Sequence, residues 1–342
     1  MSDAGPRLGF LGLGWIGQHR MRALLESGAR VAALCDADPT ALDKARELAP
    51  AARRVASFDA LLREPLDGVV IATPSALHAE QSLRALEHGL PVFCQKPLGR
   101  NAAEVARVVE AARRSDRLLG VDFSYRYTAA MQRVAALVRS GELGRIYAAQ
   151  LVFHNAYGPD KPWFYDATLS GGGALMDLGS HLVDLALWVL GFPALRGATG
   201  QLYAQARPLA TGDGRPVEDY VTAQLAFEGG VAVDLQCSWK LHAGCDCVIE
   251  ASFFGERGAA CLRNVGGSFY DFSAEAFSGT ARRVLASPPD AWGGRAAQAW
   301  AARLARSARY DAAADELVQV ARVLDVIYAA APPARVEDVC ES

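Results

Sequence analysis

Residues 7–121 alternate between short apolar runs and amphipathic stretches. "RLGFLGLG", "RVAALCD", "GVVIATP", "PVFCQ" and "LLGVDFS" read as apolar strands. The intervening "WIGQHRMRALLESG", "PTALDKARELA", "ALHAEQSLRALEHG" and "NAAEVARVVEAARRSD" repeat apolar residues at helical spacing. Their ends carry stop and start signals: Gly28 past the first helix, Asp38 and Pro39 as N-cap and first residue of the second, and Asn101 as N-cap of the fourth. Strands apolar on both faces, alternating with helices, predict a doubly wound parallel sheet covered on both sides.

The pattern then changes. "IYAAQLVFHNA", "DYVTAQLAFEGGVAVDLQCSW" and "DCVIEASFFGERGAACLRNV" predict longer strands in succession, turning at Glu228-Gly229-Gly230 and Glu256-Arg257-Gly258. That is an open, mainly antiparallel sheet with few helices. One apolar helix stands out, from near Gly173 to Gly191. The weakly patterned stretch after residue 272 reads as a mobile surface loop, followed by a helix from about Ala296. The expected division is an α/β nucleotide-binding domain at 1–122 and an α/β domain at 123–342 for substrate and oligomer contacts. A C-terminal helix at about 311–331, before Pro332-Pro333, is expected to pack back on the body.

Composition adds exclusions. The 342 residues are 51% apolar and 21% charged, with a formal net charge of −3, which suits two globular cores. No basic run exceeds a pair such as Arg53-Arg54, so no nucleic-acid or membrane-surface partner is expected. The first residues lack a signal-peptide pattern, and no long uncharged apolar window predicts a membrane span. Seven scattered cysteines include only a C-x-C at Cys245 and Cys247, without zinc spacing. No metal site is expected, and reduced thiols point to the cytoplasm.

Three places carry chemistry. Gly12-Leu13-Gly14-Trp15-Ile16-Gly17 is G-x-G-x-x-G between a predicted strand and helix, followed at the end of the next strand by Asp36. Glycines permit a tight turn and close approach to a pyrophosphate, whose charge the helix N-terminus favours. Asp36 is placed to accept from a ribose diol and to repel a 2′-phosphate, which favours NAD over NADP. In "SGGGALMDLGSHLVDLALW", Asp177 and His181 lie four residues apart on one helical face, with Asp184 and Trp188 on the same row. A polar row on a buried helix needs partners; it reads as a structural Asp–His pair or as an imidazole poised to accept a proton. Lys96, in "PVFCQKP", ends a parallel strand on the side where such sheets bind ligands, and Pro97 restricts its backbone. On this motif alone it reads equally as a solvated loop lysine.

Together these features resemble the Gfo/Idh/MocA family, glucose–fructose oxidoreductase, inositol dehydrogenase and relatives, over nearly the whole chain. The likeness rests on the glycine turn, on "ATPSALHAEQSLRALEHGLPVFCQKPL" and on "GGGALMDLGSHLVDLALW". It implies a Rossmann domain, a C-terminal domain whose open sheet forms dimer or tetramer contacts, and a nicotinamide between the two. Lys96, Asp177 and His181 match the family's catalytic lysine, aspartate and histidine. His181 would take the hydroxyl proton, Lys96 would polarise that oxygen, and Asp177 would bind a neighbouring hydroxyl. Thr73, Pro74, His78 and Gln95 match positions around the cofactor. The family usually has Glu-Lys-Pro; Gln95 departs from this, keeping shape and an acceptor but losing charge.

The loop "FHNAYGPDKPWFYDATLSGGG" offers Asn155, Tyr157, Trp163 and Tyr165 to a substrate, with Lys161 and Asp166 beside them; Arg126 matches a further family position. Aromatic faces with polar groups suit a sugar or cyclitol ring. Lys240 and His242 are weaker candidates. The expected activity is NAD(P)-dependent hydride transfer at a secondary alcohol of a sugar, sugar derivative or cyclitol. The alternatives are glycoside cleavage with transient use of NAD, and a non-catalytic NAD(H)-binding regulator. Retention of Lys96, Asp177 and His181 speaks against the last.

Overall fold

The computed structural model describes residues 5–209 and 216–331; Pro332-Pro333 lie outside them. The chain forms two compact units. One comprises Met1–Tyr127 with Ala291–Gln319, the other Thr128–Asp290 with Val320–Ser342.

In the first unit, strands β1 (Arg7–Leu11), β2 (Arg30–Cys35), β3 (Arg53–Arg54), β4 (Gly68–Ile71), β5 (Val92–Cys94) and β6 (Leu119–Val121) form one sheet. All its pairings are parallel, in the order β3-β2-β1-β4-β5-β6. Helices α1 (Trp15–Glu26), α2 (Pro39–Leu48), α3 (Phe58–Leu62), α4 (Ser75–Glu87) and α5 (Ala102–Ser115) alternate with the strands. The predicted caps form: Asp38 accepts from Thr40 N at 2.8 Å and Asn101 from Glu104 N at 2.9 Å. Gly28 takes φ +88° just past α1. The short β3 and α3 were not anticipated. Strand order reverses beside β1, so the chain leaves β1 and β4 side by side at the switch point where such sheets bind ligands.

The chain returns to this unit after its long excursion through the other. The helix Arg295–Leu304 places Trp300, 5% exposed, against three adjacent strands. Its ring centroid is 5.6 Å from that of Phe93 on β5. A Cβ on Gly68 of β4 or on Gly120 of β6 would come within 2.8 or 2.7 Å of the indole. Two strands thus omit side chains where one indole packs. The expected division had placed this helix with the second domain.

The second unit is built on β7 (Ile146–Asn155), β8 (Leu195–Ala204), β9 (Arg207–Pro208), β10 (Tyr220–Phe227), β11 (Ala232–Ser238), β12 (Cys247–Gly255), β13 (Ala259–Asn264), β14 (Phe272–Ser278) and β15 (Ala281–Ala286). Their order is β15-β14-β13-β12-β7-β11-β10-β8-β9, antiparallel except for the β7–β11 pair. Helices Ala129–Arg139 and Ser180–Leu190 pack on each other and on the sheet. β14 and β15 form a hairpin where a mobile loop was expected. β14 alternates buried and half-buried positions, whereas edge strand β15 carries exposed Arg282 and Arg283 and so lacks an apolar pattern. The helical stretch Ala167–Leu190 is long and apolar enough to cross a membrane, but 83% of its apolar 18-residue window is buried inside the protein, as in a core helix.

Trp300→Ala should cost about 3–5 kcal/mol of stability, because the glycines opposite cannot refill the space. Urea unfolding would measure this; a loss below about 1 kcal/mol would contradict the docking of this helix on the sheet.

Candidate active site

The glycine turn divides into packing glycines and an open one. A Cβ on Gly12, at φ +88°, would lie 2.5 Å from the Ala72 carbonyl, and one on Gly17 would lie 2.3 Å from Gly12 O. These two let the turn press against the end of β4 and against its own helix. A Cβ on Gly14 would meet nothing within 4 Å. Gly14 is also the N-cap of α1, with no side-chain cap and no acid in the first turn. Its open face and the uncapped N–H groups of Trp15 and Ile16 form a cradle for an anion. Trp15 is 68% exposed beside it. The dinucleotide phosphate expected from the sequence fits this cradle.

Asp36 accepts from Leu13 N at 2.5 Å and from Asp38 N at 2.8 Å. It thereby braces the glycine turn, while a carboxylate keeps further acceptor sites for a ribose diol. Pro74 is the N-cap of α4, and Thr73 Oγ1 donates to Gln81 Oε1 at 2.6 Å. His78 differs from expectation. It is 1% exposed, with Nδ1 2.7 Å from Pro97 O and Nε2 2.6 Å from Thr73 O. Burial pushes this imidazole below its ordinary pKa against the pull of both carbonyls. His78 therefore sits between the Thr73 and Pro97 carbonyls and donates to one of them from whichever ring nitrogen carries its proton.

Gln95 is also buried. Its side-chain N–H donates to Asp122 Oδ2, which accepts from Arg20 Nε as well. Asp122 and Arg20 are 1% and 5% exposed. Neither was singled out in the sequence, because they lie 27 and 75 residues from Gln95. The charge read as lost at residue 95 is thus present beside it, on Asp122. Lys96 follows directly, joined to Pro97 by a cis peptide bond. Arg126, expected near substrate, pairs with Glu316 at 3.4 Å and lies over Phe123.

In the second unit, Asp177 and His181 fall on a continuous helix, but its first turn is wide. Leu175–Gly179 is π-helical and Ser180–Leu190 α-helical. The simple i, i+4 α-helical stacking read from sequence is therefore loosened at Asp177. Single π turns recur at functional sites. The glycines ahead of this helix serve internal packing. A Cβ on Gly173 would lie 1.9 Å from Glu218 O, and one on Gly172 would lie 1.9 Å from the Tyr328 hydroxyl. Glu218, 2% exposed, accepts from Gly173 N at 2.9 Å, Leu175 N at 3.0 Å and the Tyr328 hydroxyl at 2.8 Å. This buried carboxylate, absent from the sequence reading, caps the helix bearing Asp177 and His181.

Trp239 Nε1 donates to Asp177 Oδ2 at 3.1 Å. The Trp239 ring meets Tyr165 and Phe164 edge to face at 5.6 and 6.3 Å, and Trp163 stacks on Phe164 at 3.8 Å. Lys240 Nζ sits 5.0 Å over the Tyr165 ring. His181 is 7% exposed, 6.4 Å ring to ring from Phe153. Asn155 Oδ1 is buried without a hydrogen-bond partner, an acceptor awaiting a donor. Tyr157 is 56% exposed and donates to Asp246. Asp166 caps the short helix Ala167–Ser170, and Lys161 pairs with Asp160, so both have structural partners. Nothing in the sequence alone signals the contact between Trp239 and Asp177. Among the described residues no group of three His, Cys, Asp or Glu side chains could hold a metal.

Burial pushes the Glu218 carboxyl above the ordinary glutamate value of 4.5, against the pull of its donors. Its native state then holds a proton that the unfolded chain releases, so this contribution is fully present below pH 4.5 and is lost as pH rises to the folded value. Glu218→Gln should remove that decline. Unfolding free energies of both proteins across this window would show it; parallel pH curves would contradict it.

The family described as "Oxidoreductase family, NAD-binding Rossmann fold" matches residues 7–123, and "GFO/IDH/MocA C-terminal domain" matches residues 131–261. The D-glucoside 3-dehydrogenase of Escherichia coli K12 is 27% identical over 277 residues, 77% of this chain and 78% of its own. The inositol 2-dehydrogenase of Streptomyces avermitilis is 31% identical over 315 residues, 84% of this chain and 87% of its own. A levoglucosan dehydrogenase solved with NADH and levoglucosan shares the fold at TM-score 0.80 and 20% identity, over 95% of this chain and 96% of its own. The chain belongs to the GFO/IDH/MocA family of oxidoreductases, with an NAD-binding Rossmann domain followed by that family's C-terminal domain.

Proposed function

We propose that the protein oxidises a secondary alcohol of a sugar, sugar derivative or cyclitol, or reduces the matching ketone. The observation that carries this reading is the setting of Asp177. One carboxylate oxygen is held by the Trp239 indole, which meets the Phe164 and Tyr165 rings, and Trp163 stacks on Phe164 behind them. A carboxylate among aromatic faces suits a ring that is apolar on its faces and hydroxylated at its edge. The names of the glucoside and inositol relatives agree with that class.

His181, on the same helix, takes the proton of the reacting hydroxyl as general base. Lys96 polarises that oxygen as a cation, and Asp177 accepts from a neighbouring hydroxyl. Asn155, with its unmet acceptor, Tyr157, Trp163 and Tyr165 are assigned to substrate. NAD, held by the Gly12–Gly17 turn, Asp36, Thr73 and Pro74, supplies hydride acceptance. Asp36 favours it over NADP by charge. Six free cysteines among the described residues, five of them buried, fit a reducing compartment, and the cytoplasm is the proposed location. Half-exposed Tyr147 and Val284 on the sheet of the second unit suit a homodimer or homotetramer contact.

A panel of sugars, glycosides and cyclitols assayed for NADH absorbance should yield at least one substrate; product formation without net NADH would overturn net oxidation. On that substrate His181→Ala should lower kcat at least about 100-fold; near-wild-type turnover would remove the base. Asp36→Ala should weaken NAD more than NADP, and equal weakening would remove Asp36 from the ribose.

A further inference from the structure

The geometry points to a positioning device for the catalytic lysine: Asp122, held by Arg20, grips Gln95 and so fixes the residue that follows it, Lys96. This rests on Lys96 acting at the substrate oxygen. Three elements meet in the device. Arg20 comes from α1, the helix that starts at the open glycine of the phosphate turn. Gln95 directly follows β5, and Asp122 directly follows β6. Asp122 Oδ2 accepts from both Arg20 Nε and Gln95 Nε2. The backbones are tied at the same level, with Gln95 N donating to Ile71 O and Asp122 N to Cys94 O, each at 2.9 Å. Residue 95 is thus held by main chain and side chain, and Lys96 leaves from a clamped point.

The same geometry accounts for glutamine at residue 95. The group facing Asp122 must donate a hydrogen bond, because Oδ2 is an acceptor and Asp122 is 1% exposed. An ionised glutamate would present a second carboxylate, leaving two buried negative charges to one arginine, and only a protonated one could donate as glutamine does. Asp122 Oδ1 is buried without a hydrogen-bond partner. This carboxylate is therefore incompletely compensated, a costly arrangement for a side chain that only packs. Arg20 also lies 2.8 Å from His19 Nδ1, and burial with the Arg20 charge pushes that imidazole below its ordinary pKa. His19 therefore accepts from Arg20 and adds no positive charge beside the guanidinium.

A kinetic double-mutant cycle tests this with NAD+ and the substrate found above. Lys96→Met alone should lower kcat on the order of 100-fold. Asp122→Asn and Gln95→Glu should each lower kcat on the order of 10- to 100-fold in the wild-type background, as misplacement of a catalytic group does. Equilibrium NAD+ affinity, read by fluorescence titration, should hardly change. In the Lys96→Met background neither substitution should lower kcat further, since both act through the lysine. A merely structural role would lower kcat by the same factor in both backgrounds, and that result would overturn the proposal. So would wild-type kcat in both single variants. Gln95→Glu keeps the Arg20–Asp122 pair and carries the cycle alone if Asp122→Asn does not fold. Wild-type turnover by Lys96→Met would instead overturn the role of the lysine.

Discussion

A carboxylate withdrawn from water must be met by hydrogen-bond donors, at a cost of several kcal/mol where it is not. Two of the buried carboxylates among the described residues lie behind residues assigned to catalysis. In the first unit Asp122 takes a guanidinium and an amide, and the amide belongs to the residue before Lys96. In the second, Glu218 takes two backbone N–H groups and a phenol at the start of the helix carrying Asp177 and His181. Neither carboxylate is exposed enough to touch a substrate freely. Each bonds the segment that carries a side chain assigned to catalysis, the kind of support that positions a reacting group.

Glycine supplies the complementary half of the design. Buried carboxylates and indoles fit only where backbones come close, and this chain opens such places by omitting side chains. Gly173 lets its helix start against Glu218, and Gly68 and Gly120 leave space for Trp300. Gly12 and Gly17 pack the phosphate turn shut on itself, while Gly14 alone keeps an open face. The open position, beside uncapped N–H groups, is the one that can receive a pyrophosphate.

Much of this was legible in the residue order. The parallel sheet was readable because its strands are continuously apolar and its helices carry local caps at Asp38 and Asn101. The helix of Asp177 and His181 was readable from apolarity and its terminal Gly191. Other features depended on distance along the chain. Trp300 joins the first unit only because two glycines far upstream make room for it. The hairpin of β14 and β15 escaped notice because its outer strand is an edge rich in arginine. The π turn at Leu175–Gly179 leaves no local signature, and the burial of His78 between the Thr73 and Pro97 carbonyls was not readable from its own position. Gln95 looked like a loss of charge because its partners are 27 and 75 residues away.

The central claim is that a carbon-bound hydrogen of a polyhydroxylated ring passes to the nicotinamide and stays there. Incubation with NAD+ and a carbon-deuterated cyclitol or glucoside, followed by mass spectrometry of the nicotinamide pool, tests it directly. The account predicts reduced cofactor carrying one deuterium for each substrate oxidised. Product accumulating while the pool remains oxidised and free of deuterium would contradict it.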